Sequence, residues 1–172
     1  MSFLLLLAAY TMLLMAISCK EYRKILILNV GSCFLAAVYL YLNGALVGAT
    51  ISSLAGLASF SQLCLPSEGR KPIKVIRNSV ALLFSVIATA ILYSKPSDML
   101  PCIAFCNNRI MEAQAKGQLV RLGLVLGGFL WAIYGLCNGL YLYTFAEMLV
   151  CVTGLKLYLR TKRRLSGQLA SQ

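Results

Sequence analysis

The 172-residue chain contains no histidine, one tryptophan, four prolines and only five acidic residues against sixteen bases. Without histidine, the commonest metal ligand and the side chain best suited to moving protons near neutral pH are both missing. No nucleophile, base and orienting group can then be assembled in the usual way, and an enzyme is not expected. Charged residues make up 12% of the chain and apolar ones 60%, with a mean hydropathy of +0.81, too oily for a soluble domain of this length. The chain reads as a membrane protein, with the lipid bilayer as its first partner. A formal charge of +11 would ordinarily suggest nucleic acid. Here most bases sit in short clusters between apolar runs, which reports topology, and no nucleic-acid partner is expected.

Long apolar runs are what the sequence has instead. Stretches of about 17 to 25 residues suited to crossing a bilayer number seven: Met1–Ser18, Ile25–Leu42, Ala45–Leu65, about Val75–Ser94 with a polar start, about Met99–Ala115, Leu119–Cys137 and Leu140–Leu159. Only Asn43-Gly44 separates the second span from the third, and only Asn138-Gly139 the sixth from the seventh. Asn-Gly pairs form tight turns, so each closes a helical hairpin. The segment Pro66–Asn78, with Pro66, Gly69 and Pro72, is the longest polar stretch and the natural joint between halves. AISC at Ala16–Cys19 faintly resembles a lipoprotein cleavage site, but no base precedes the apolar run, and the first span is retained.

Placing the N-terminus outside puts fifteen of the sixteen bases on or toward the cytoplasmic side and leaves only Lys95 outside. The positive-inside rule therefore favours an odd number of spans with the C-terminus in the cytoplasm. The stretch FLAAVYLYLNG, Phe34–Gly44, returns 95 positions later as FLWAIYGLCNG, Phe129–Gly139. Phe34, Leu35, Ala37, Tyr39 and Leu54 fall on Phe129, Leu130, Ala132, Tyr134 and Leu149, while Ala36 becomes Trp131. Spans one to three match spans five to seven, and the odd fourth helix makes the two units parallel. The expected fold is all-α in the membrane: seven transmembrane helices as two parallel three-helix repeats plus a linker helix, 3+1+3. Its segments are 1–65, a basic loop and linker helix 66–98, a second repeat 99–160, and a basic cytoplasmic tail 161–172.

The second half, with Arg121, Trp131, Tyr134, Gly139, Glu147 and Arg160, resembles the YgjV-type bacterial inner-membrane protein family. The likeness extends to the basic CKEYRK loop, Cys19–Lys24, and the Leu100-Pro101 opening of span five. It covers most of the chain and implies the bacterial inner membrane, with no substrate to carry over. More distantly, the 3+1+3 plan is similar to the SWEET and PQ-loop transporters and the KDEL receptor. The chain departs from them in having no Pro-Gln dipeptide, and of the two equivalent helices only span five carries a proline near its start.

Repeat-built transporters hold solute near mid-membrane between the halves, so polar residues at span centres are the candidates. Span five carries Asn107, Asn108, Arg109 and Glu112, a polar stripe that is costly toward lipid and should face the bundle interior, unless Arg109 snorkels to the cytoplasmic surface. Glu147 lies near the middle of span seven with no base within four residues. At that depth it must be neutralised by a proton, by a bound solute, or by Arg109 or Arg121 in a structural pair. Its equivalent in the first half is Ser52, and the resemblance to SWEET-like proteins implies paired polar residues at these positions. Trp131 and Tyr134 are expected to present aromatic surface to the same site, Trp131 being otherwise an interfacial anchor. Asn29, Ser32 and Ser53 are weaker candidates.

Cys102 and Cys106 at i and i+4 have metal-ligand spacing but no CxxC or histidine support, so neither metal nor cofactor is expected. Gly48, Gly56, Gly123, Gly127 and Gly128 read as points of close helix approach. Together these features suggest a small-solute transporter working by alternating access around a central polar cavity that takes a small polar or cationic solute, with self-association left open. The alternative from the same residues is a non-transporting receptor or assembly factor that captures a peptide or partner there.

Overall fold

The computed structural model describes residues 2–19, 21–64, 71–113 and 117–170, with backbone placement alone at 22, 71–74, 112–113, 117–118, 120–121 and 161–170. Among the described residues seven α-helices follow one another: α1 Ser2–Ser18, α2 Tyr22–Leu42, α3 Leu46–Cys64, α4 Lys71–Leu92, α5 Met99–Ala113, α6 Gly117–Cys137 and α7 Tyr141–Ala170. A 3₁₀ turn at Pro96–Asp98 leads into α5, and there is no strand among the described residues. Backbone donors and acceptors must be satisfied within each segment in a bilayer, and helices do this locally.

Among the described residues, four stretches are long and apolar enough to cross a membrane: Arg23–Leu42, Leu46–Cys64, Val75–Leu92 and Tyr141–Arg160. Ser2–Ser18 and Leu122–Cys137 are shorter apolar helices, and the 15-residue α5 carries Asn107, Asn108 and Arg109 in its second half. Burial is inverted relative to a soluble protein. Ile91 is 75% exposed, whereas Arg109 and Glu147 are 3% and 6% exposed. A surface of leucine, isoleucine and phenylalanine around a partly polar interior suits hydrocarbon rather than water.

Packing is closest between sequence neighbours: α1 on α2, α2 on α3, α5 on α6 and α6 on α7. α4 bridges α3 and α5 more loosely, and α1 meets α7 as α3 meets α5. Both Asn-Gly turns form as the sequence predicts, with the same geometry. Gly44 and Gly139 have φ of 76° and 70°, a region that side chains oppose. Asn43 Nδ2 donates to the Tyr39 carbonyl at 2.7 Å, and Asn138 Nδ2 to the Tyr134 carbonyl at 2.8 Å. Each side chain thus adds a second donor to a carbonyl that also accepts the backbone amide of the same asparagine, tightening the helix end.

A feature not anticipated from sequence is Asp98. Its Oδ2 accepts from the Ser94 and Lys95 amides at 3.0 and 3.1 Å and from the Ser94 hydroxyl at 2.9 Å. This buried carboxyl closes the α4–α5 connection.

Candidate functional site

Glu147 sits six residues into α7, with Tyr143 one turn before it and Cys151 one turn after, on the face turned inward. The Tyr10 hydroxyl of α1 donates to Glu147 Oε1 at 2.6 Å, and the ring of Tyr143 packs against that of Tyr10 beside the acid. Among the described residues Glu147 makes no ion pair, so it does not pair with Arg109. The side chain of Arg121 lies outside the described residues. α6 passes close by because residue 128 is glycine: a Cβ there would lie 2.9 Å from Cys151 Sγ and 3.3 Å from Glu147 Oε2.

Aromatic rings surround the carboxyl. Tyr143 packs edge-on to Tyr10 at 5.8 Å and to Trp131 at 6.3 Å, and stacks on Tyr39 at 6.1 Å. Edge and offset contacts of this kind hold rings firmly. Trp131 is half-buried within this group.

Glu147 opens on a cavity of about 90 Å³ whose wall draws on every helix except α4. Ser52, Asn108, Arg109 and Trp131 line it with Glu147, as do Asn29 and Ser32. Arg109 is buried rather than snorkelling. Its guanidinium lies 5.4 Å from the Phe105 ring centre, and Nη2 donates to Ser59 Oγ at 3.4 Å. Asn29 Nδ2 donates to the same oxygen at 3.0 Å. The Ser52 hydroxyl donates to the Cys33 carbonyl at 2.9 Å, leaving its oxygen lone pairs for other donors. Asn108 fits against α6 because residue 127 is glycine, where a Cβ would meet its Oδ1 at 2.7 Å.

Two expected site residues stand elsewhere. The Tyr134 hydroxyl turns away and accepts the Gly48 amide at 3.1 Å, filling one of the donors left orphaned in the first turn of α3. Asn107, rotated one position from Asn108 on the helix, donates to the Gly123 carbonyl at 3.1 Å and ties α5 to α6. Neither is among the residues that line the cavity. The Glu112 side chain lies outside the described residues. Ser53 bonds back to the Ala49 carbonyl at 2.9 Å, away from the cavity. Conversely, Tyr10 and Tyr143 were missed. The i, i+4 spacing of Tyr143 and Glu147 was visible in the sequence; nothing local pointed to Tyr10.

The profile of the Imp-YgjV family of bacterial inner membrane proteins matches residues 1–164. The chain belongs to that family. No curated protein and no solved structure matches this Imp-YgjV chain, so the likeness to SWEET and PQ-loop transporters rests on residues alone. Among its described residues, no three His, Cys, Asp or Glu side chains converge as a metal site. Cys102 and Cys106 turn toward Ser85 of α4, with Cys102 Sγ at 3.7 Å and Cys106 Sγ at 4.0 Å from Oγ. What the Imp-YgjV cavity offers is a buried acid with a tyrosine hydroxyl and aromatic rings beside it.

Proposed function

We propose that this Imp-YgjV protein is a small-solute transporter that works by alternating access around the central cavity. One observation carries the reading: Glu147, a carboxyl buried in a membrane protein and without an ion pair among the described residues, opens on a cavity shared by helices of both halves. Buried charge is expensive in a bilayer and is kept mainly along solute or proton pathways.

The second support is the relation between halves, which we read as a 3+1+3 duplication with the repeats parallel. Adding 95 to a first-half position gives its second-half equivalent. Under that shift the Tyr134–Gly48 contact exchanges with Tyr39–Tyr143, each joining one half to the other. The α1–α7 contact likewise exchanges with α5–α3. Tyr10 on Glu147 corresponds to Phe105 and Ser52, so one interface carries the acid and the other lost it. Halves that meet through such matched surfaces, with glycines at the close approaches, can rock about the cavity between them. The base count sets the orientation as N-terminus outside and C-terminus cytoplasmic.

Purified protein in liposomes, assayed for counterflow of amines, amino acids, sugars and nucleosides, tests the reading. Uptake of one class that collapses in Glu147→Gln, with the variant still monodisperse, is the expected result. Binding without flux would make the protein a receptor. No flux and no binding would return Glu147 to a structural role.

A further inference from the structure

We infer that the solute is a small alkylammonium cation, a compound of a few carbons whose positive nitrogen sits between the Glu147 carboxylate and the rings of Tyr10, Trp131 and Tyr143. The inference rests on the proposed solute site and names the class of compound that the site takes.

A carboxylate buried at bilayer depth is costly until an opposite charge or a proton compensates it. Glu147 is 6% exposed and makes no ion pair among the described residues. The Tyr10 hydroxyl donates to its Oε1 at 2.6 Å, which supplies a dipole and not a charge. An ionised carboxylate has about four lone-pair sites on its two oxygens, so acceptor sites remain for the N–H groups of an ammonium. The carboxyl lies against α6 at Gly128, where a Cβ would approach Oε2 to 3.3 Å, and it reaches the cavity.

The rings beside it are crossed. Tyr10 meets Tyr143 at 80° and Trp131 meets Tyr143 at 68°, with centroids 5.8 and 6.3 Å apart. All three line the cavity with Glu147. Rings set in this way wall a corner, where flat stacking would leave a slot. A ring face carries partial negative charge, so an ammonium in that corner gains cation–π attraction in addition to its ion pair, most strongly where water is excluded.

The same features select against other solutes. An anion is repelled by the carboxylate and by the ring faces alike. A neutral alcohol or sugar leaves the acid uncompensated. Calcium and magnesium take about six or more oxygen ligands, and among the described residues no three His, Cys, Asp or Glu side chains converge. The cavity of about 90 Å³ is well below the roughly 300 Å³ at which pockets enclose drug-sized ligands, which restricts the cation to a few carbons. Arg109 also lines the cavity, over Phe105 and against Ser59, and takes no part in this contact.

The test is ligand binding to the intact detergent-purified protein, by calorimetry and thermal shift. The cations are methylammonium, ethylammonium and tetramethylammonium; propan-1-ol and propionate are their neutral and anionic counterparts. At least one cation is expected to bind roughly tenfold or more tightly than either counterpart. Glu147→Gln should abolish the preference for that cation over propan-1-ol, read as a ratio within the one variant; a preference that persists places the cation elsewhere and overturns the site. Trp131→Leu should weaken the cation roughly three- to tenfold, and Trp131→Phe, which keeps a ring face, should weaken it less. Equal affinity in a folded Trp131→Leu protein would overturn the role of the rings. Propan-1-ol or propionate binding the wild type as tightly as the best cation overturns the alkylammonium and leaves a transporter of another solute standing. Absence of binding by all five overturns it outright; flux of some other compound in liposomes would then keep the transport reading, and absence of all flux would remove that too. Cation binding without flux would uphold the cation site and make the protein a receptor. The wild-type series decides even if a variant does not fold.

Discussion

The Tyr10 hydroxyl donates a 2.6 Å hydrogen bond to Glu147 across 137 residues of sequence, joining the middle of α1 to α7. It is a buried polar link between the first helix and the last.

Tyr10→Phe removes that donor and leaves a buried carboxyl oxygen to find another. A loss of about 1–3 kcal/mol is expected for an acceptor stranded in this way. Thermal unfolding in detergent should show a lower midpoint than wild type. A midpoint equal to wild type would mean that Glu147 is held without the Tyr10 hydroxyl.

Gly128→Ala places a methyl 2.9 Å from Cys151 Sγ and 3.3 Å from Glu147 Oε2. Overpacking of this kind costs about 1–3 kcal/mol, and the α6–α7 contact should weaken. Cys151→Ala in the same chain makes room, so the double variant should recover part of the lost stability. Strictly additive losses would show that the sulfur is not what the methyl strikes.

Gly44→Ala and Gly139→Ala each force a side chain into a positive-φ conformation, at about 1–2 kcal/mol. The two turns share their hydrogen bonds, so the two substitutions should lower the unfolding midpoint by similar amounts. A large asymmetry would argue against equivalent hairpins.

Glu21→Gln breaks the 2.9 Å ion pair with Lys24, whose side chains are 63% and 66% exposed. Pairs this open to solvent contribute about 0–1 kcal/mol. The midpoint should hardly move, in contrast to the substitutions at Tyr10, Gly128 and the two turn glycines.

Orientation is checked by cysteine labelling. Lys95→Cys should react with a membrane-impermeant maleimide from the outer face of intact spheroplasts. Arg160→Cys should react only after permeabilisation. The opposite pattern would invert the topology.

Much of this architecture was legible beforehand. Spans two, three and seven and the two Asn-Gly hairpins follow from local rules: hydropathy over a bilayer's thickness and the turn preference of Asn-Gly. Asn108, Arg109 and Glu147 stood out because polar groups in apolar runs are costly unless they face inward. The roles of Tyr134 and Asn107 were not legible. Tyrosine and asparagine serve equally as wall or as brace, and a single step of about 100° around a helix decides which.

The sequence by itself determined an all-helical membrane chain, its matched turns and the few polar side chains that lipid would not tolerate, because each follows from composition within a window of some twenty residues. Only the tertiary structure decided that Tyr10 reaches Glu147, that Arg109 rests on Phe105 and Ser59 instead of pairing with that acid, and that six helices share one cavity while α4 stands apart. These are contacts between residues remote in sequence. They depend on how glycines at positions such as 127 and 128 let neighbouring helices approach, and no local pattern encodes the rotation at which two helices meet.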